Sequence, residues 1–179
     1  MSKLQPDTIA PLATAAVVNR QLMPSDQAAV SALHARVFGP GRFARTAYRV
    51  REGTAPFSPF CRGAFIGDAL IASIRMSPVA IGASHPHLLL GPLAVTPEFS
   101  GQGYGKALVE EALTSAQVQK IASVILVGDM SYYARFDFAP VRPGQITFPG
   151  PVNPARILGR ALQPGALDKV QGTVAAITL

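Results

Sequence analysis

Three glycines at every second position, Gly101, Gly103 and Gly105, followed by Lys106, are the residues of this chain best suited to chemistry. They follow the apolar run His87 to Val95 and lead into a stretch of helical periodicity that ends near Gln119. The first turn of a helix carries N–H groups with no intrahelical partner and a partial positive charge. Glycine lets a backbone approach an anion closely and permits positive φ. The segment Ser100-Gly101-Gln102-Gly103-Tyr104-Gly105-Lys106 therefore reads as a backbone cradle for a pyrophosphate, with Lys106 as a mobile charge on its rim.

Other phosphate-binding loops fit less well. A P-loop needs Ser or Thr after its Gly-Lys pair to hold magnesium, and here Ala107 follows Lys106. A dinucleotide fingerprint needs G-x-G-x-x-G, and the spacing here is wrong, although Asp129 could stand for its acidic residue. A tight strand-to-helix turn with no ligand is the plain alternative. Outside the loop, the lone Cys61 reads as a small buried apolar residue rather than a nucleophile. His85 and His87, at i, i+2 on one strand, lack the further ligands a metal would need, so no metal site is expected. His34 is expected on the edge of the first helix, Glu98 in a solvated turn, and Arg135 facing solvent within reach of a phosphate. Asp129 is expected to cap a short helix rather than act as a base.

The elements that must position the loop can be read from periodicity and punctuation. Ala15 to Leu22 reads as a strand stopped by Pro24. Ser25 is a candidate N-cap for a helix through Val37, with Ala29, Val30, Leu33 and Val37 inward. A second helix is expected from Arg42 to Arg51, with Phe43, Ala47 and Val50 inward. Ala64–Ile66 and Ala69–Met76, around Gly67-Asp68, read as a hairpin whose second arm Pro78 to Ile81 continues or bends. His87–Val95 is nearly all apolar, so both its faces should be covered. The helix after the loop buries Leu108, Ala112, Leu113 and Ala116, and Ile121–Val127 is a further buried strand. A short helix is expected at Tyr132–Phe136, another at Pro154–Leu162, and a last strand, Thr173–Thr178, against a sheet edge. The order is mixed α/β, with one strand–loop–helix–strand unit in its second half.

Composition bounds the function. With 179 residues, 49% hydrophobic and 15% charged, the chain suits one domain with a real core. A single cysteine excludes an internal disulfide and suits a reducing, cytoplasmic compartment. No apolar stretch is long enough to span a membrane, and Met1 to Ala16, broken by Pro6, Asp7 and Pro11, lacks the apolar core of a signal peptide. Residues 1–14 are read as a mobile leader and 15–179 as the domain. The formal net charge of +6 favours phosphate-bearing partners, but only Arg42, Arg45, Arg49 and Arg51 cluster, which argues against a nucleic-acid footprint.

Two blocks resemble the GCN5-related N-acetyltransferase (GNAT) superfamily. The first is Gly91-Pro92-Leu93-Ala94-Val95-Thr96-Pro97-Glu98-Phe99-Ser100-Gly101-Gln102-Gly103-Tyr104-Gly105-Lys106-Ala107-Leu108, similar to the family's Gln/Arg-x-x-Gly-x-Gly/Ala signature. The second, Gly128-Asp129-Met130-Ser131-Tyr132-Tyr133-Ala134-Arg135-Phe136-Asp137-Phe138, is similar to its Tyr-x-x-x-Gly-Phe motif. Their pairing, with Val18-Asn19-Arg20-Gln21 and Pro24-Ser25-Asp26 at the opening, resembles the bacterial YhbS-like branch, and the likeness runs from about Ala15 to Val141. Two departures stand out. Ser100 replaces a long donor side chain, and Asp137 replaces a glycine at a position that Asp tolerates if φ is positive.

The resemblance implies a mixed, mostly antiparallel sheet flanked by helices, with two central strands, His87–Val95 and Ile121–Val127, splayed around acetyl-CoA as co-substrate. It implies that Leu93, Ala94 and Val95 hold the pantetheine arm by their backbone and offer an N–H to the thioester oxygen, and that residues 100–106 hold the pyrophosphate. It also implies that Tyr133 protonates the leaving thiolate, Tyr132 being a core residue. The expected activity is transfer of an acetyl group to a primary amine of a small molecule or a protein. A catalytically silent acyl-CoA-binding module is the alternative, suited by Ser100, Asp137 and the missing base. The acceptor is expected between the first two helices and the loop at Phe57–Phe60, walled by Phe43, Tyr48, Phe57 and Phe60. The sequence leaves a homodimer open.

Overall fold

A computed structural model describes residues 16–41 and 46–178. The expected leader, Ala15, Arg42, Phe43 and Arg45 lie outside them. The elements run β1 (Val17–Gln21), α1 (Gln27–Phe38), α2 (Thr46–Val50), β2 (Arg62–Ile66), β3 (Ala69–Ile81), β4 (Ser84–Val95), α3 (Tyr104–Val118), β5 (Ser123–Val127), α4 (Met130–Tyr133), β6 (Ala139–Pro140), β7 (Ile146–Thr147), β8 (Ile157–Ala161) and β9 (Gly172–Ala176). The main sheet has the order β1-β2-β3-β4-β5-β8-β6, and β9 pairs with the far end of β3. Along this path only β4 and β5 run parallel, because the α3 crossover returns the chain in the same direction.

The hairpin β2–β3 turns at Gly67, which has φ of +55°, and Pro78 continues β3 rather than ending it. The α3 helix presents Leu108, Val109, Ala112, Leu113 and Ala116 to a core shared with Ile74, Met76, Leu88, Leu90, Val124 and Leu126. Each of the Leu, Val, Ile and Met side chains among them contributes about 2 kcal/mol by leaving water. The opposite face packs Val79, Ile81, Leu89, Ile125 and Ile157 beneath α2 and the C-terminal strands.

Five local expectations are corrected. Ser25 caps nothing in the described structure. Asp26 ends a short 3-10 turn ahead of α1, and its carboxylate accepts a hydrogen bond from the Met23 amide at 2.8 Å and binds Arg20 at 2.7 Å. On α1, Ala29 is exposed, whereas His34 is buried and meets Ser73 Oγ at 3.1 Å. The stretch Pro154–Leu162 is not a helix: a 3-10 turn at Pro154–Arg156, capped by the Asn153 side chain, feeds strand β8, which pairs with β5 from Ser123 to Val127. The short helix starts at Met130, before Tyr132, and gives way to a 3-10 turn at Ala134–Phe136.

Candidate functional site

The β4–β5 ladder covers only His87↔Ser123, Leu88↔Val124 and Leu89↔Ile125. Beyond Leu89 the two strands part. The cause lies in β4. Between the pairs Leu90↔Met76 and Leu93↔Ile74, β4 advances three residues while β3 advances two, so Gly91-Pro92 form a bulge opposite Arg75. Gly91 takes φ of +110°, a value that suits glycine. A bulge bends its strand and increases the local twist, which carries Leu93–Val95 away from β5. Their edge toward β5 is left without a strand partner, while the other edge pairs with Ala72–Ile74.

The glycine loop lies at the mouth of this gap. Gly101 (φ +75°) and Gly103 (φ +89°) occupy the left-handed region, and a Cβ on either would meet no atom within 4 Å. The space beside them is open. Among the described residues, the amides of 101–106 donate to no backbone carbonyl; the first such bond is from Ala107 N to Gly103 O at 3.0 Å. The first turn of α3 carries no acidic side chain to compensate its partial charge. Gly105 serves packing instead. A Cβ there would stand 3.3 Å from Val95 Cγ2 and 3.4 Å from the Tyr132 hydroxyl, so glycine lets α3 seat closely against β4. Lys106 is exposed and pairs with Glu110 at 3.6 Å. Gln102 ties the loop to the preceding turn through the Glu98 carbonyl at 3.0 Å, and Ser100 is exposed.

The tyrosine pair sits on α4. The Tyr133 ring lies over Gly128 at the end of β5, where a Cβ would come 2.6 Å from its Cε2. It packs edge-on against Tyr132 at 4.9 Å and Phe138 at 5.8 Å between centroids. Burial, then Tyr132 and the Asp129 carboxylate, push its phenol pKa above the usual value, so it stays protonated through neutral and mildly alkaline pH. Tyr132, read as core, packs against the main core cluster. It is half-buried, its hydroxyl reaches the first turn of α3 at Gly105, and Arg135 lies over its ring at 5.0 Å.

Asp129 stands at the start of α4, but its carbonyl, not its carboxylate, accepts the amides of Tyr132 and Tyr133. The carboxylate is exposed and pairs with Arg156 at 3.1 Å. Asp137 has φ of +60°, which explains how it occupies a position that glycine holds in the resembling motif. Glu98 is exposed and bound to Arg36; a backbone hydrogen bond, then Arg36, lower its pKa. His87 is buried between Ser123 Oγ (2.8 Å) and Ser84 Oγ (3.0 Å), and burial, then His85, lower its pKa. It is a satisfied core histidine. Cys61 is buried.

On the opposite side of the gap from α3 lies a cavity of about 410 Å³, lined by Leu90, Gly91 and Pro92 of the bulge, Val127 of β5, and Tyr48 and Arg51 beside α2. Of the expected acceptor wall, Tyr48 is here, Phe57 lines a neighbouring cavity, and Phe60 is fully buried in the core instead.

Known proteins resemble this chain in sequence and in fold. The family model for the acetyltransferase (GNAT) family matches residues 28–138. A segment of 70 residues is 36% identical to the uncharacterized N-acetyltransferase YhbS of Escherichia coli strain K12. That match covers 38% of this chain and 42% of YhbS, so it spans less than half of that protein. Over the whole fold, a crystal structure of YhbS from Escherichia coli in complex with CoA superposes with a TM-score of 0.75 at 27% identity, covering 90% of this chain and 89% of that one. A GNAT family acetyltransferase from Brucella melitensis, in complex with acetyl-CoA, gives 0.69 at 25% identity over 92% and 97%.

Proposed function

The chain belongs to the acetyltransferase (GNAT) family, and from that premise we propose that it moves the acetyl group of acetyl-CoA to a primary amine of a small molecule or a protein, by direct transfer. The observation that carries this is the gap itself: a β4–β5 ladder that stops at Leu89↔Ile125, with six amides, 101–106, free of backbone acceptors at its mouth. The amides of Gly101–Lys106 hold the diphosphate in this reading, as helix-start amides do for anions. Leu93, Ala94 and Val95 hydrogen-bond the pantetheine arm along the free edge of β4, like an added strand. Ser100 and Lys106 lie on the rim. Binding of CoA by the YhbS structure and of acetyl-CoA by the Brucella melitensis protein supports this assignment.

The thioester would then lie beside the Gly91-Pro92 bulge, with its carbonyl oxygen facing a β4 amide. The neutral amine attacks the carbonyl carbon from the 410 Å³ cavity. The C–N bond forms, the C–S bond breaks, and the amine gives up a proton to water. Tyr133 supplies a proton to the departing thiolate and regains one from solvent once the thiol has left. A phenol with a raised pKa is a poor acid at equilibrium, so it acts only with the proton moving as the C–S bond breaks. The lone thiol Cys61 suits a reducing, cytoplasmic setting.

One observation favours the second reading, an acyl-CoA-binding module without turnover: no Asp, Glu or His occurs among the described residues that line the acceptor-side cavity. Thiol release from acetyl-CoA in the presence of a panel of amines decides between them. Amine-dependent release supports transfer; tight CoA binding with no release above the amine-free rate supports the module.

A further inference from the structure

Two arginines on the acceptor side lack counter-charges among the described residues. Arg51, directly after α2, is only 6% exposed. Its Nε donates to Ser77 Oγ and its Nη1 to the Ala47 carbonyl, each at 2.9 Å. Its Nη2 is buried and has no partner among the described residues, and the same holds for Nε of Arg75 on β3. Neither guanidinium forms an ion pair with a described carboxylate. They stand close enough for the charge of Arg75, after burial, to lower the pKa of Arg51. Both line a cavity of about 320 Å³ together with Phe57 and Tyr48; the carboxylate that also borders it, Glu52, is exposed. Arg51 and Tyr48 line the 410 Å³ cavity as well, so the two spaces adjoin across them.

A buried guanidinium with no counter-charge is costly, and a second, half-buried one beside it adds to the cost even with the Tyr48 ring 6.0 Å from Arg51 and the Phe57 ring 5.9 Å from Arg75, unless an anion completes the set. A guanidinium fork matches a planar carboxylate. Arg51 is already fixed through Nε and Nη1, which leaves the nitrogen Nη2 unpaired among the described residues. Resting on the transfer reading above, we propose that the acceptor is an amine that also carries a carboxylate, with Arg51 and Arg75 as the residues that select it. The amine lies toward the Gly91-Pro92 bulge and the carboxylate toward the arginines.

N-acetylated amino acids of graded length, and the matching carboxamides, report on this site without turnover. Titrated calorimetrically into CoA-saturated protein, the acids should bind about 30-fold more tightly than the amides, the equivalent of one or two charge-assisted hydrogen bonds. Arg75→Gln should reduce that preference to within about 3-fold, and Arg51→Lys should retain part of it. If Arg51 variants fail to fold, the half-buried Arg75 carries the test. Equal binding of acids and amides, no binding of either, or a preference unchanged in Arg75→Gln overturns the proposal. Thiol-release assays separate it from the reading it rests on. Turnover of amines with no preference for a carboxylate keeps transfer and removes the arginine site. Carboxylate-selective binding with no turnover of any amine keeps the site and removes transfer.

Discussion

The two sides of the β4–β5 gap are built by opposite means. On the α3 side, the groups that face a ligand are backbone amides, and side chains are kept away: Gly101 and Gly103 leave open space where a Cβ would stand. On the α2 side, the groups are side chains from separate elements, Arg51 after α2 and Arg75 on β3, with Ser77 accepting a hydrogen bond from Arg51 Nε. The backbone side is suited to a ligand part that never changes, the diphosphate of a cofactor. The side-chain side is where specificity can be rewritten by a single substitution.

That contrast can be broken by experiment. Gly103→Glu places a carboxylate in the proposed diphosphate site and forces φ of +89° on a side chain. It should weaken CoA binding by at least about 100-fold in calorimetry, while leaving the selectivity of the arginine side untouched. Tyr133→Phe should lower turnover by about 100-fold with CoA affinity within about 3-fold. The raised phenol pKa further predicts that turnover does not fall through loss of this proton between about pH 8 and 10. Tyr132→Phe is the sharpening control: if it costs turnover and Tyr133→Phe does not, the hydroxyl beside Gly105 is the proton donor. Gly128→Ala pushes a Cβ to 2.6 Å from the Tyr133 ring and 2.8 Å from Leu126 Cδ1. It should cost about 1–3 kcal/mol in stability and about 10-fold in turnover by displacing that ring. Lys106→Ala, which removes an exposed and already paired charge, should weaken CoA binding only about 3-fold, less at high salt. Gly63→Ala meets Leu22, Phe65 and Leu70 at 2.7–2.9 Å, on β2, with β3 between it and β4. It should lower the melting temperature yet leave turnover per folded molecule unchanged.

The same contrast explains what could be read in the sequence. The loop was legible because glycine is chosen for what the backbone must do, and that constraint is local: residues 100–106 say it within one turn. The β2–β3 hairpin, the apolar β4 and the buried stripe of α3 were legible for the same reason, since periodicity is local. The C-terminal strand β8 was missed because Pro154 at the head of a turn looks like a helix start, whereas Gly159, whose Cβ would stand 2.9 Å from Leu167 and 3.1 Å from Val141, is the signal of a tightly packed strand. His34 was misplaced because its reason for burial, Ser73, lies 39 residues away. The paired arginines were invisible for a like reason. Arg51 looked like one member of a basic cluster, and only the tertiary fold shows that it is buried against β3 rather than solvated. Asp137 was read correctly, because a left-handed position states its requirement locally.

A crystal structure of the acetyl-CoA complex tests the central claim most directly. Diphosphate oxygens should lie within hydrogen-bonding distance of the amides of Gly101–Lys106, with the thioester beside the Gly91-Pro92 bulge. A diphosphate bound away from the start of α3, with those amides still facing water, would contradict it.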